Sequence, residues 1–157
     1  MKSLAKKLVN KLKKKKLTIS IAESCTGGML SSSITSISGS SKVFTLGLIT
    51  YSNKSKINLL KVNKKLIQKY GAVSKEVSLS MAKNLNKITK TNISLAITGI
   101  AGPNGGSRNK PVGLVYIGIK KKNLFIDKKF IFKNNGRAYI QKSAVNKSLK
   151  LILSFLK

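Results

Sequence analysis

The chain has 157 residues, one cysteine, no histidine, three carboxylates and a formal net charge of +29. Without histidine, Ser-His-Asp and Cys-His catalysis are excluded, and with Cys25 alone no intrachain disulfide can form. A zinc site would need Cys25 together with some of Glu23, Glu76 and Asp127, and any hydrolytic chemistry must take its proton acceptor from lysine, tyrosine or a carboxylate.

Residues 2–16 place Leu4, Leu8, Val9 and Leu12 at helical spacing with lysines between them, which predicts an amphipathic helix. Leu17 to Ala22 is a β-branched run read as a strand, followed at once by Glu23-Ser24-Cys25-Thr26-Gly27-Gly28 and a helix over Met29 to Ile37. Val43 to Thr50 reads as a second strand, and short helices follow at Lys54 to Leu60 and Lys64 to Tyr70. Ser74 is placed to cap the next helix, with Glu76 in its first turn and Val77, Met81, Leu85 and Ile88 as its buried stripe. Ile93 to Thr98 is the third strand. A glycine-rich loop, Gly99 to Gly113, leads to a strand at Leu114 to Ile119, a hairpin turn at Lys120 to Asn123 and a strand at Leu124 to Phe132. Residues 137–156 form a closing helix. Strands and helices alternate and then give way to a hairpin, so the expected fold is α/β, a mixed sheet covered by helices on both faces, in one domain over residues 1–157 without repeats or linkers.

The charge suggests a polyanionic partner, but lysine, isoleucine and asparagine together supply 60 of the 157 residues, the bias of an AT-rich coding sequence. The lysines run along the whole chain instead of concentrating on one face with arginine and aromatics, so nucleic-acid binding is expected to be non-specific at most. Met1 to Lys16 lacks the apolar segment of a secretory signal and no stretch is long enough to span a bilayer, so a cytoplasmic protein without membrane contact is expected.

Three loops leave strands where α/β sheets bind ligands. Glu23 to Gly28 sets Ser24 on a tight turn at a helix N-terminus, with the amides of Cys25, Thr26 and Gly27 available to an oxyanion. An ordinary N-cap by Ser24 or Thr26 would use the same residue types. Tyr51 to Lys56 offers a tyrosine and a lysine five residues apart, able to replace histidine around a serine hydroxyl if the lysine is neutral. Thr98 to Gly106 carries four glycines in nine residues, suited to a backbone cradle for phosphate or sugar and equally to a structural turn. Cys25, lacking a histidine, is read as a packing residue, and Glu23 as a carboxylate that pairs with a lysine or steadies the turn.

AESCTGG at Ala22 to Gly28, TYSNKSK at Thr50 to Lys56, GAVSKEV at Gly71 to Val77, TGIAGPNGG at Thr98 to Gly106 and KPVG at Lys110 to Gly113 follow one another in the order and spacing of the CinA C-terminal domain, which the chain resembles from about Leu4 to Phe155. The resemblance implies a three-layer α/β/α sandwich and an amidohydrolase that converts nicotinamide mononucleotide and water to nicotinic acid mononucleotide and ammonia, a reaction expected to need neither metal nor organic cofactor. It places the catalytic serine, tyrosine and lysine on Ser24, Tyr51 and Lys56, and substrate binding on Thr26, Gly27, Gly28, Thr98, Gly99, Gly102 and Arg137. The expected partners are this small-molecule substrate and further copies of the chain as a homo-oligomer. The family's Gly-Asp-Arg becomes Asn135-Gly136-Arg137 here, and a second arginine four residues on becomes Gln141, which implies weaker contact to the substrate phosphate. The pyrophosphatase-like domain that precedes it in many relatives is not in this sequence, as in the stand-alone form. Two other functions compete with this one: a nucleotide-binding or competence-associated module of the same fold without hydrolysis, which would not need Ser24, Tyr51 and Lys56 together, and a nucleic-acid-binding protein, which leaves the glycine loops without a role.

Overall fold

The β-branched runs pair into one five-stranded sheet in a computed structural model that describes residues 1–156. Its strands are β1 (Ile19–Glu23), β2 (Phe44–Ile49), β3 (Ile93–Gly99), β4 (Leu114–Lys121) and β5 (Leu124–Ile131), in the order β2-β1-β3-β4-β5. β1 is parallel to both β2 and β3, whereas β3, β4 and β5 are successively antiparallel. Helices α1 (Lys2–Lys15), α2 (Met29–Thr35), α3 (Asn53–Leu60), α4 (Lys64–Tyr70), α5 (Lys75–Thr89) and α6 (Arg137–Ser154) complete an α/β/α sandwich.

Strand alternation divides the core between two faces. Ile19 and Ile21, Leu95 and Ile97, and Ile117 and Ile119 form the larger cluster with α1, α2 and α6. On the opposite face Ala22, Ala96 and Gly118 stand in register across β1, β3 and β4, a row of small residues beneath α5. The row lets the helix approach closely. A Cβ on Gly118 would collide with the Ser78 carbonyl oxygen of α5, so the position requires glycine. At the other end of the same face Ser20, Thr91 and Ser94 are buried and hydrogen-bonded to one another, and Asn86 Nδ2 donates to Ser94 Oγ at 3.0 Å.

Ser74 caps α5 by accepting from Val77 N. The buried stripe differs from the one expected: Ser78 and Ala82 complete it, and by the last turn Thr89, bonded to Ser20 Oγ, has taken the sheet side, leaving Ile88 52% exposed. The helix expected to reach Ile37 ends at Thr35, and a 3-10 turn at Ser40–Lys42 precedes β2. β4 continues to Lys121, so the hairpin turns on Lys122 and Asn123 alone. Lys122 is left-handed at φ 52°, as are Lys16, Lys61 and Lys90 at the ends of α1, α3 and α5. Among the described residues no helix is long and apolar enough to cross a membrane.

The chain order 2-1-3 places the topological switch between β1 and β3, so a crevice opens beyond their carboxyl ends. The loops after β1, β2 and β3 all emerge there, and the N-terminus of α6 reaches them from the side.

Candidate active site

Strand pairing continues past the end of β1 and fixes the turn that follows. Ser24 N donates to Ile97 O at 3.0 Å, and Thr50 N donates to Glu23 O at 2.8 Å, so Ser24 and Thr50 come to rest side by side. Gly27 N closes the turn onto Ser24 O at 3.0 Å. Glu23 lies on the same face as Ile19 and Ile21 and points beneath α2. There its carboxylate accepts from the amides of Gly28, Leu30 and Ser31 and from the Ser31 hydroxyl. This fully buried carboxylate anchors the N-terminus of α2 and pairs with no lysine among the described residues. Its acceptor positions are occupied, which removes it as a base.

Lys56 enters from α3. Ser52 and Ser55 form a reciprocal capping box that starts this helix, Ser55 N donating to Ser52 Oγ at 3.0 Å and Ser52 N to Ser55 Oγ at 3.1 Å. One residue later Lys56 turns its stem inward and is only 1% exposed. Its Nζ lies 3.0 Å from Ser24 Oγ, 2.9 Å from Thr50 O and 3.4 Å from Tyr51 O. Burial is the main cause that lowers its pKa from the ordinary lysine value of 10.5. A Cys25 thiolate would raise it, but burial pushes the Cys25 thiol up to about 12, so at neutral pH that thiol carries no charge.

A neutral amine has two N–H groups and one lone pair. Lys56 Nζ as an ammonium donates to all three oxygens, whereas the neutral amine would give its two N–H groups to the Thr50 and Tyr51 carbonyls and leave the lone pair to accept from the Ser24 hydroxyl. In that neutral state the 3.0 Å contact would let Lys56 take the Ser24 proton directly. Tyr51 does not stand between the two, because its hydroxyl accepts from Arg137 Nη2 at 2.6 Å and only its backbone carbonyl reaches Lys56.

A cavity of about 230 Å³ opens above Ser24, with Cys25, Tyr51, Gly99, Gly102 and Arg137 in its wall. Arg137 Nη1 donates to Gly102 O at 2.9 Å, which holds the guanidinium at the rim. A Cβ at Gly102, whose φ is 76°, would lie 2.6 Å from Val112 Cγ1. The remaining residues singled out from sequence sit outside the wall. Thr26 is buried, its Oγ1 without a partner among the described residues. The Gly27 amide is spent on the turn, the Gly28 amide on Glu23, and the Thr98 hydroxyl on Ala72 O at 2.9 Å. Of the three amides expected to face an oxyanion, those of Cys25 and Thr26 have no carbonyl or side-chain acceptor of another residue among the described residues. Asn104 and Gly105, within the glycine-rich loop that follows β3, join this cavity to an adjoining cleft of about 590 Å³ along Pro103 to Val112. Gln141 Nε2 donates to Cys25 O at 2.8 Å, a contact between positions 116 residues apart that no local pattern signals.

A profile described as the CinA C-terminal domain matches residues 1–156. A CinA-like protein of Prochlorococcus marinus (strain MIT 9301) is 51% identical over 151 residues, which cover 93% of this chain and 36% of that protein. A putative competence-damage inducible protein of Clostridium botulinum (strain Langeland) is 46% identical over 155 residues, covering 99% and 38%. The chain thus spans little more than a third of the length of these relatives. Among solved structures, a competence/damage inducible protein from Agrobacterium tumefaciens superposes with a TM-score of 0.96 at 35% identity, covering 99% of this chain and 95% of that one. Sequence, motifs and fold together make the chain a member of the CinA C-terminal domain family.

Proposed function

We propose that the chain hydrolyses the carboxamide of nicotinamide mononucleotide, giving nicotinic acid mononucleotide and ammonia. The observation that carries this reading is the 3.0 Å contact between the buried Lys56 Nζ and Ser24 Oγ. Binding alone would not require a lysine buried against a serine, since an exposed ammonium serves a phosphate as well.

Ser24 Oγ attacks the carboxamide carbon while its proton passes to Lys56 Nζ. The carbonyl π electrons move to the oxygen, which the unpaired amides of Cys25 and Thr26 stabilise. On collapse the C–N bond breaks and the Lys56 ammonium returns the proton to the departing nitrogen, which leaves as ammonia. Water then attacks the nicotinoyl ester with Lys56 again taking the proton, and Ser24 Oγ recovers it as the acid is released. The cavity above Ser24 suits a pyridine ring, and the adjoining cleft, with Arg108 in its wall, offers room and positive charge for ribose phosphate. Arg137 supplies a second cation at the rim.

The test is ammonia release from nicotinamide mononucleotide by purified protein. Ser24→Ala is expected to lose at least about 10³-fold in kcat while still binding the nucleotide, whereas Cys25→Ala keeps most activity because a thiol near pKa 12 is no nucleophile at neutral pH. Full activity in Ser24→Ala would remove the serine from the chemistry. Binding without ammonia release from the wild-type protein would favour the nucleotide-binding module instead.

A further inference from the structure

The turn after β1 contains two successive peptide planes whose N–H groups have no acceptor on another residue among the described residues, and the two are held differently. In a trans peptide the C=O and N–H point in opposite directions, so fixing one fixes the other. The Ser24 carbonyl is held by Gly27 N within the turn, which sets the direction of Cys25 N–H. The Cys25 carbonyl has no such backbone partner. Among the described residues its hydrogen bond comes from Gln141 Nε2 alone, at 2.8 Å. The next amide, Thr26 N–H, belongs to a residue only 2% exposed, and a buried N–H is ordinarily paired. We propose that Gln141 is a positioning residue: by holding the Cys25 carbonyl it aims the Thr26 amide at the oxygen that becomes negative when Ser24 attacks.

The placement on α6 supports this. Arg137 and Gln141 are four residues apart and share one face of the helix, so the arginine reaches the rim of the cavity while the glutamine reaches the turn. A carbonyl oxygen only accepts, so the side chain that holds it must donate. Glutamine does, and so would an arginine or lysine of suitable reach. Leucine fills similar space without a donor, and glutamate presents only acceptors. The inference rests on Ser24 being the nucleophile, and it adds that the last helix orients the oxyanion-binding turn.

The experiment compares Gln141→Leu, Gln141→Glu and Gln141→Arg in steady-state turnover of nicotinamide mononucleotide, with thermal unfolding alongside. Removal of one oxyanion donor typically costs about 10²–10³ in kcat, so a donor left in place but misdirected is expected to cost about 10- to 100-fold, with KM within about twofold. Gln141→Glu should fall at least as far as Gln141→Leu, and Gln141→Arg should recover kcat to within about threefold of wild type, since it restores a donor. A merely structural side chain would lower the unfolding temperature in step with activity and would show no such dependence on the donor. In parallel, acetylation of Ser24 by p-nitrophenyl acetate is followed by mass spectrometry of the Ser24 peptide. Wild-type kcat in Gln141→Leu, or failure of Gln141→Arg to recover, overturns the role of Gln141 and leaves Ser24 in place. If the wild type acetylates at Ser24 but releases no ammonia, the substrate is misassigned and the same ordering of variants is read from acetylation rates. If Ser24 neither turns over nor acetylates, the nucleophile and the role of Gln141 fall together.

Discussion

At neutral pH an exposed ammonium keeps its proton, but Lys56 is buried against Ser24 and two carbonyls, and its pKa lies below 10.5. Turnover should therefore rise with pH along a limb whose midpoint is that lowered value, because only the neutral amine accepts the serine proton. Stability has the same sign. Between the lowered folded value and the ordinary unfolded one, the unfolded chain binds the extra proton, so stability rises with pH across that window and is lost as pH falls through the folded value. Lys56→Arg should reduce kcat to about 1% or less, since a guanidinium stays protonated, and exposed Lys54→Arg should be nearly silent. A pH–rate profile of both variants checks this, and wild-type turnover in Lys56→Arg would exclude lysine as the base. The motifs placed Ser24, Tyr51 and Lys56 in one neighbourhood, and the structure brings them together. Which way the Tyr51 hydroxyl turns was not legible, because a spacing of five residues on a loop entering a helix leaves that direction open. Glu23 was partly legible: counting alternate positions from Ile19 puts it on the face of α2. Gln141 was not, since its partner is distant in sequence.

Elements were easier to read in the middle than at their ends. Residue pattern and composition identified each α-helix and strand but not the 3-10 turn at Ser40–Lys42, and hairpin and helix stops are ordinarily marked by glycine or asparagine, which accept left-handed backbone, whereas here lysine holds those places. The Lys122-Asn123 turn, for example, carries no Asn-Gly or Gly-X signal, so its length was overestimated. These lysines are also strained. Lys90 ends α5 at φ 52° and ψ 26°, donates its amide to Asn86 O and exposes its side chain, so it supplies the cap with nothing a glycine lacks. Since a left-handed non-glycine residue costs about 1–2 kcal/mol, part of it recovered by glycine against its greater freedom when unfolded, Lys90→Gly should stabilise by about 0.5–1 kcal/mol. Urea unfolding measures it, and a lower midpoint at unchanged slope would show that the lysine contributes something further.

Across the whole molecule the excess of cations has little to oppose it. The salt bridge found among the described residues joins Lys75 to Asp127 at 3.3 Å, while Glu23 is committed to α2. Such a surface repels itself, and the repulsion is screened beyond about 10 Å at 0.1 M salt and over shorter distances above that. The unfolding temperature should accordingly rise as sodium chloride is increased from about 0.01 M to about 0.15 M, and a calorimetric scan that shows no change would mean the lysines are too dispersed to matter. The sandwich itself was legible from the alternation of elements followed by a hairpin, because that order leaves few topologies. That α6 reaches the site was legible only through the motif resemblance that placed Arg137 there, since periodicity says which side of a helix is buried but not against what. This closure has a kinetic consequence. α6 is made after all five strands, and until it docks beside α1 and α2 the apolar face bearing Ile21, Leu95 and Ile117 is only partly covered. The nascent protein therefore passes through a stage with a half-covered core and an unsupported Cys25 carbonyl, when it is most prone to aggregate, and the return of the proposed ammonia release in refolding would report the docking of α6 instead of collapse of the sheet.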